Sequence, residues 1–95
     1  LIMLLTNYRC RQGEIDLVMQ DKDTLVITEV RARTHSGFGG AVGSVTAQKQ
    51  QRIIQATRHL LAEQPKWADR PIRFDVIALQ GDDSPLWIKN AFDAA

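Results

Sequence analysis

Apolar and polar positions divide the chain into short extended segments and one helical one. "LIMLLTNYRC" (1–10) is an apolar run that turns polar, a strand that either closes at the turn-forming Thr6-Asn7 or continues beyond it. "GEIDLVMQ" (13–20) alternates, with Ile15, Leu17 and Met19 on one face and Glu14, Asp16, Val18 and Gln20 on the other. "DKD" has turn chemistry, and "TLVITEVRAR" (24–33) is a long β-branched strand. "HSGFGGAVGS" (35–44) is a glycine-rich loop. "TAQKQQRIIQATRHLLAEQ" (46–64) carries helical periodicity, with Thr46 as N-cap and Pro65 as the stop. "PIRFDVIAL" (71–79) reads as a buried strand and "PLWIKNAF" (85–92) as a last strand at a sheet edge. The order β-β-β-α-β-β predicts an α/β or α+β fold with a mixed sheet.

The third strand is apolar through Leu25, Val26 and Ile27, then carries Glu29, Arg31 and Arg33 at alternate positions. With Lys22-Asp23 as a two-residue hairpin loop, opposed residues have numbers that sum to 45. Asp16 then lies opposite Glu29, and Glu14 opposite Arg31. Acidic side chains about 5 Å apart across a sheet repel, unless a positive group such as a divalent cation sits between them. The plainer alternative is a solvated hairpin end with Glu14–Arg31 and Asp16–Arg33 ion pairs. A face that passes from apolar to charged within one strand favours the mouth of a cleft.

At 95 residues, 44% hydrophobic and 24% charged, the chain is expected to be one domain spanning 1–95. Net charge is only +1, but between Glu29 and Ala62 five basic residues face one acidic residue, a local excess of four. The single cysteine, Cys10, cannot form an internal disulfide, which points to a reducing, cytoplasmic setting and a structural thiol. "LIMLL" is too short for a membrane span and lacks the flanks of a signal peptide, so no membrane partner is expected. A chain that opens on Leu in an apolar run reads as part of a longer one. "GFGGAVG" lacks the Gly-Lys-Ser/Thr of a P-loop, His35 and His59 are too far apart for a zinc motif, and Trp67 and Trp87 read as packing residues.

At "GEIDLV", "ITEVRAR", "SVTAQKQQRI" and "RFDVIAL" the chain resembles the YraN-like uncharacterised bacterial protein family, across essentially its whole length. That family looks like a branch of the PD-(D/E)XK nuclease superfamily, close to Holliday junction resolvases. The resemblance implies a restriction-endonuclease-like fold, a central mixed sheet flanked by helices, the first of which would precede Leu1.

Carried over by motif, Asp16 and Glu29 match the two acidic metal ligands, and the carbonyl of Val30 completes the shell of Mg2+ or Mn2+. Arg31 stands where the motif has Lys. Lys can lose its proton and deprotonate or orient water; Arg stays charged and can hold only phosphate or developing negative charge. The superfamily's further Glu, on the first helix, has no counterpart here. Lys49, in the "SVTxxK" motif on the apolar stripe of the helix, is expected at the active site, with Gln48 a weaker candidate. Arg9, Arg11, Arg33 and Arg52 would contact a nucleic-acid backbone, DNA foremost, without base specificity. Glu14 and Asp75 are supporting candidates, Asp75 as the ion-pair partner of Arg73. The implied function is a metal-dependent endonuclease acting on structured or branched DNA. A non-catalytic nucleic-acid-binding module and a protein-interaction domain using the last edge strand remain as alternatives, and either a monomer or a homodimer is compatible with them.

Overall fold

The turn at Lys22-Asp23 sets the register of the central hairpin. Lys22 adopts a left-handed backbone (φ 56°). From it β2 (Gly13–Asp21) and β3 (Thr24–Ala32) run antiparallel, with Asp21 opposite Thr24, Val18 opposite Ile27 and Leu17 opposite Thr28. This is the register expected of a two-residue loop. The structure is a computed structural model that describes residues 1–32, 45–79 and 85–94. Arg33 and the expected glycine-rich loop at 35–44 lie outside the described residues.

β1 (Ile2–Cys10) runs through Thr6-Asn7 without closing there and pairs antiparallel with β2. α1 (Ala47–Glu63) connects β3 to β4 (Ile72–Leu79), and these two strands pair in parallel, as a crossover helix permits. β5 (Leu86–Phe92) lies antiparallel to β4, at the edge of a five-stranded mixed sheet ordered β1-β2-β3-β4-β5. The fold is therefore α+β in the expected order. Among the described residues its helical layer is α1 and a 3-10 turn at Pro65–Trp67.

α1 begins where Thr46 Oγ1 accepts the Lys49 N–H at 3.2 Å, and Pro65 opens the 3-10 turn that follows its end. Ile53, Ile54, Ala56 and Leu60 form its buried stripe. They pack on Val18, Leu25, Ile27, Phe74 and Val76 of the sheet, with Trp67 in the same cluster. Trp67 is a core residue, as expected.

Regular alternation fails at the start of β2. Ile15 and Val18 both enter the core cluster, and two positions three apart cannot share a face of a regular strand. The expected grouping of Ile15, Leu17 and Met19 on one face is thereby overturned. The cause is local: the ladder to β3 ends at Leu17–Thr28, whereas the ladder to β1 runs on to Cys10–Gly13. Asn7, on β1 beside this point, takes a left-handed backbone (φ 53°). The β1–β2 hairpin thus separates from β3 at Asp16, and its tip lies against α1. There a Cβ at Gly13 would come within 3.0 Å of the Arg52 carbonyl oxygen, closer than a side chain tolerates.

The other face of the sheet holds a polar cluster. Asp75, with no exposed surface, accepts from Arg73 Nε at 2.9 Å, Arg73 Nη2 at 3.1 Å, Trp87 Nε1 at 2.8 Å and the Asn90 N–H at 2.9 Å. Arg73 also reaches Asp21 on β2, at 3.2 Å. The expected Arg73–Asp75 pair is present, and it joins β4 to β5 and, through Arg73, to β2. Replacing Asp75 with Ala would leave two N–H donors without their acceptor and a half-buried guanidinium with Asp21 alone. Chemical denaturation should show Asp75→Ala destabilised by about 3–5 kcal/mol.

Candidate active site

Where β2 leaves β3, backbone pairing is replaced by a side chain. Asp16 Oδ2 accepts the Val30 N–H at 2.8 Å, taking the place of the ladder bond that a continued strand would have made. This half-buried carboxylate is thereby carried to Glu29, which hydrogen-bonds with it. Burial first, then the hydrogen bond and charge of Asp16, raise the Glu29 pKa from 4.5 to about 7; Arg31 and Lys49 act in the opposite sense. Near neutral pH Glu29 therefore still carries its proton in part, within hydrogen-bonding reach of Asp16.

Glu29 opens on a cleft of about 200 Å³ lined by Gly13, Glu14, Glu29, Arg31, Lys49, Arg52 and Ile53. Its floor is β3, one wall is the hairpin tip and the other is α1. Arg31 Nη1 lies 3.6 Å from Glu29 Oε2. Lys49, on the first turn of α1, is close enough for its charge to act on Glu29. The Glu14–Arg31 pair of the plainer alternative is not among the ion pairs of the described residues: Glu14 pairs with Arg9, its cross-strand neighbour, at 3.2 Å.

The structure thus brings Asp16, Glu29, Arg31, Lys49, Arg52 and Glu14 together. Arg9 and Arg11 stand exposed on the hairpin beside the cleft, and Val30 contributes backbone. Gln48 is exposed and does not line the cleft. Asp75 faces the opposite side of the sheet, and Arg33 lies outside the described residues. Gly13 was not foreseen as part of the site, although a glycine directly after the turn was a signal of close backbone approach. Nor was Tyr8, whose hydroxyl donates to Glu63 and lies 2.7 Å from His59 Nδ1, tying β1 to the C-terminal half of α1. Burial and the Glu63 carboxylate hold that phenol protonated well above its ordinary range.

The donor set suits a hard divalent cation. Two carboxylates meet, and a strand residue directs its N–H and C=O to the same edge, so the Val30 carbonyl faces the side on which Asp16 sits. Among the described residues no group of three or more His, Cys, Asp or Glu converges, so carbonyl or water oxygens would complete any shell.

Comparison with known proteins sets this site in a family. Residues 1–79 match the family described as Uncharacterised protein family UPF0102. The chain belongs to UPF0102, the YraN-like family. It is 54% identical over 95 residues to a UPF0102 protein of Pseudomonas entomophila (strain L48), covering 96% of this chain and 77% of that protein. A UPF0102 protein of Alcanivorax borkumensis (strain SK2) is 50% identical over 90 residues, covering 90% of this chain and 72% of that protein. No helix among the described residues of this UPF0102 chain is long and apolar enough to cross a membrane.

The Glu29 proton has a consequence for stability. The folded state holds the Glu29 proton more tightly than the unfolded chain does, so stability from this group is present at low pH. It is lost as pH rises between about 4.5 and 7. Thermal denaturation of metal-free protein should show this fall, and Glu29→Gln should flatten it and raise stability at pH 8.

Proposed function

We propose that this UPF0102 chain is a nuclease-like domain that binds structured or branched DNA in the cytoplasm and hydrolyses its phosphodiesters with Mg2+ or Mn2+. The meeting of Asp16 and Glu29 at the end of a cleft walled by Arg31, Lys49 and Arg52 carries this reading. Asp16, Glu29 and the Val30 carbonyl would hold the cation, which supplies Lewis-acid charge and acidifies water. Asp16 is aimed by the Val30 N–H. Arg31 and Lys49 would orient the phosphate and stabilise charge that develops on its oxygens. Arg9, Arg11, Arg33 and Arg52 would bind flanking phosphates whatever the sequence.

One observation favours a second reading, a nucleic-acid-binding module without catalysis. Arg31 occupies the position where the resembling nucleases carry Lys, and it is engaged with Glu29. A guanidinium cannot accept a proton from water, so the proton must leave by way of a carboxylate or solvent.

The test is cleavage of linear, branched and single-stranded DNA by the full-length protein with Mg2+ or Mn2+. Asp16→Asn should abolish metal-dependent cleavage while leaving the melting temperature unchanged or slightly higher. It keeps an oxygen acceptor for the Val30 N–H and removes the repulsion with Glu29. Arg31→Lys should keep or raise activity. Salt-dependent DNA binding without cleavage on any substrate would instead establish the binding module.

A further inference from the structure

Within the cleft, one end differs from the other. At Gly13 the hairpin tip lies directly on the backbone of α1: a Cβ there would meet the Arg52 carbonyl oxygen at 3.0 Å and the Arg52 Cβ at 3.2 Å. Both residues line the cleft, so among the described residues this contact stands at its border and closes the gap between tip and helix there. Arg52 sits at that end. Lys49, one turn earlier on α1, sits nearer Glu29, whose ionisation it influences. We propose that the cleft is blind at the Gly13–Arg52 contact and takes a strand terminus, binding its terminal phosphate at Arg52 and Lys49 with the adjoining phosphodiester over Asp16 and Glu29.

Charge supports a terminus over an internal linkage. A phosphodiester carries one negative charge, whereas a terminal phosphomonoester carries about −1.5 to −2 at neutral pH. Of the acids near this end, Glu14 is engaged by Arg9. Neither Lys49 nor Arg52 is in a salt bridge among the described residues, so Lys49, whose charge already acts on Glu29, and Arg52 can both turn to a phosphate at this end. A continuous strand would have to rise out of the cleft over the hairpin–helix contact; a strand that ends there need not. The inference rests on the proposed nucleic-acid reading and narrows its substrate to DNA structures that present an end.

The experiment is competition binding with the full chain and Ca2+, which takes oxygen ligands, so that binding is read apart from cleavage. The labelled probe is a single-stranded DNA oligonucleotide with a 5′-phosphate. Competitors are the same sequence with a 3′-phosphate, with hydroxyls at both ends, and as a covalently closed circle. One phosphorylated form should bind about tenfold more tightly than the hydroxyl form and the circle, the scale of a charge-assisted contact. Which phosphate confers the gain identifies the strand polarity. Arg52→Gln should remove that preference, costing the phosphorylated form about tenfold more than it costs the circle, which loses only one backbone contact. If the circle and the hydroxyl form compete as well as both phosphorylated forms, the blind-cleft inference is overturned and nucleic-acid binding stands. If no form binds even at low salt, the proposed function falls and the inference with it.

Discussion

Everything at the candidate site depends on one hydrogen bond, from the Val30 N–H to Asp16 Oδ2. At that point β2 stops pairing with β3, and a backbone donor would otherwise lack an acceptor. A carboxylate supplies one, which holds Asp16 at the strand junction and against Glu29. The same departure frees the β1–β2 hairpin to close on α1 and wall the cleft. One interruption in a ladder thus produces both the paired carboxyls and the space in front of them.

The two faces of the sheet divide their tasks. On one, the buried Asp75 carboxylate accepts four hydrogen bonds, two of them from an Arg73 guanidinium that also reaches Asp21, so the buried charge has its counter-charge and its donors. On the other, Glu29 is desolvated beside another carboxyl, and the cations present do not prevent its pKa from rising. Matched charge joins strands; mismatched charge accepts a proton or a cation. Candidate chemistry lies on the mismatched side, at the end of β3 where the apolar stripe of Leu25 and Ile27 gives way to Glu29 and Arg31.

Much of this was legible in the residues. A two-residue turn at Lys22-Asp23 fixes the β2–β3 register, and that register brings Asp16 level with Glu29, where the Val30 N–H holds it. Thr46 and Pro65 marked the helix, and alternation along 71–79 brought Arg73 and Asp75 together. The break in β2 was not legible. Ile15 and Val18 are both apolar in a sequence that alternates acceptably, and only the left-handed Asn7 on the neighbouring strand and the contact with α1 force both into the core. The Arg9–Glu14 pair escaped for the same reason, since it depends on a β1–β2 ladder that outlasts the β2–β3 one. Local pattern carries register within a hairpin; it does not carry where one hairpin parts from the next strand.

The central claim is that Asp16 and Glu29 form one proton- or cation-sharing unit. Its most direct test is a carbon-13 NMR titration of the side-chain carboxyls, with and without Mg2+. The account predicts that the Glu29 resonance titrates near pH 7 in metal-free protein, and that saturating Mg2+ displaces the midpoint downward. In Asp16→Asn the metal-free midpoint should also fall, and Mg2+ should no longer move it. A Glu29 midpoint in the ordinary carboxylate range, or one indifferent to Mg2+, would contradict the account.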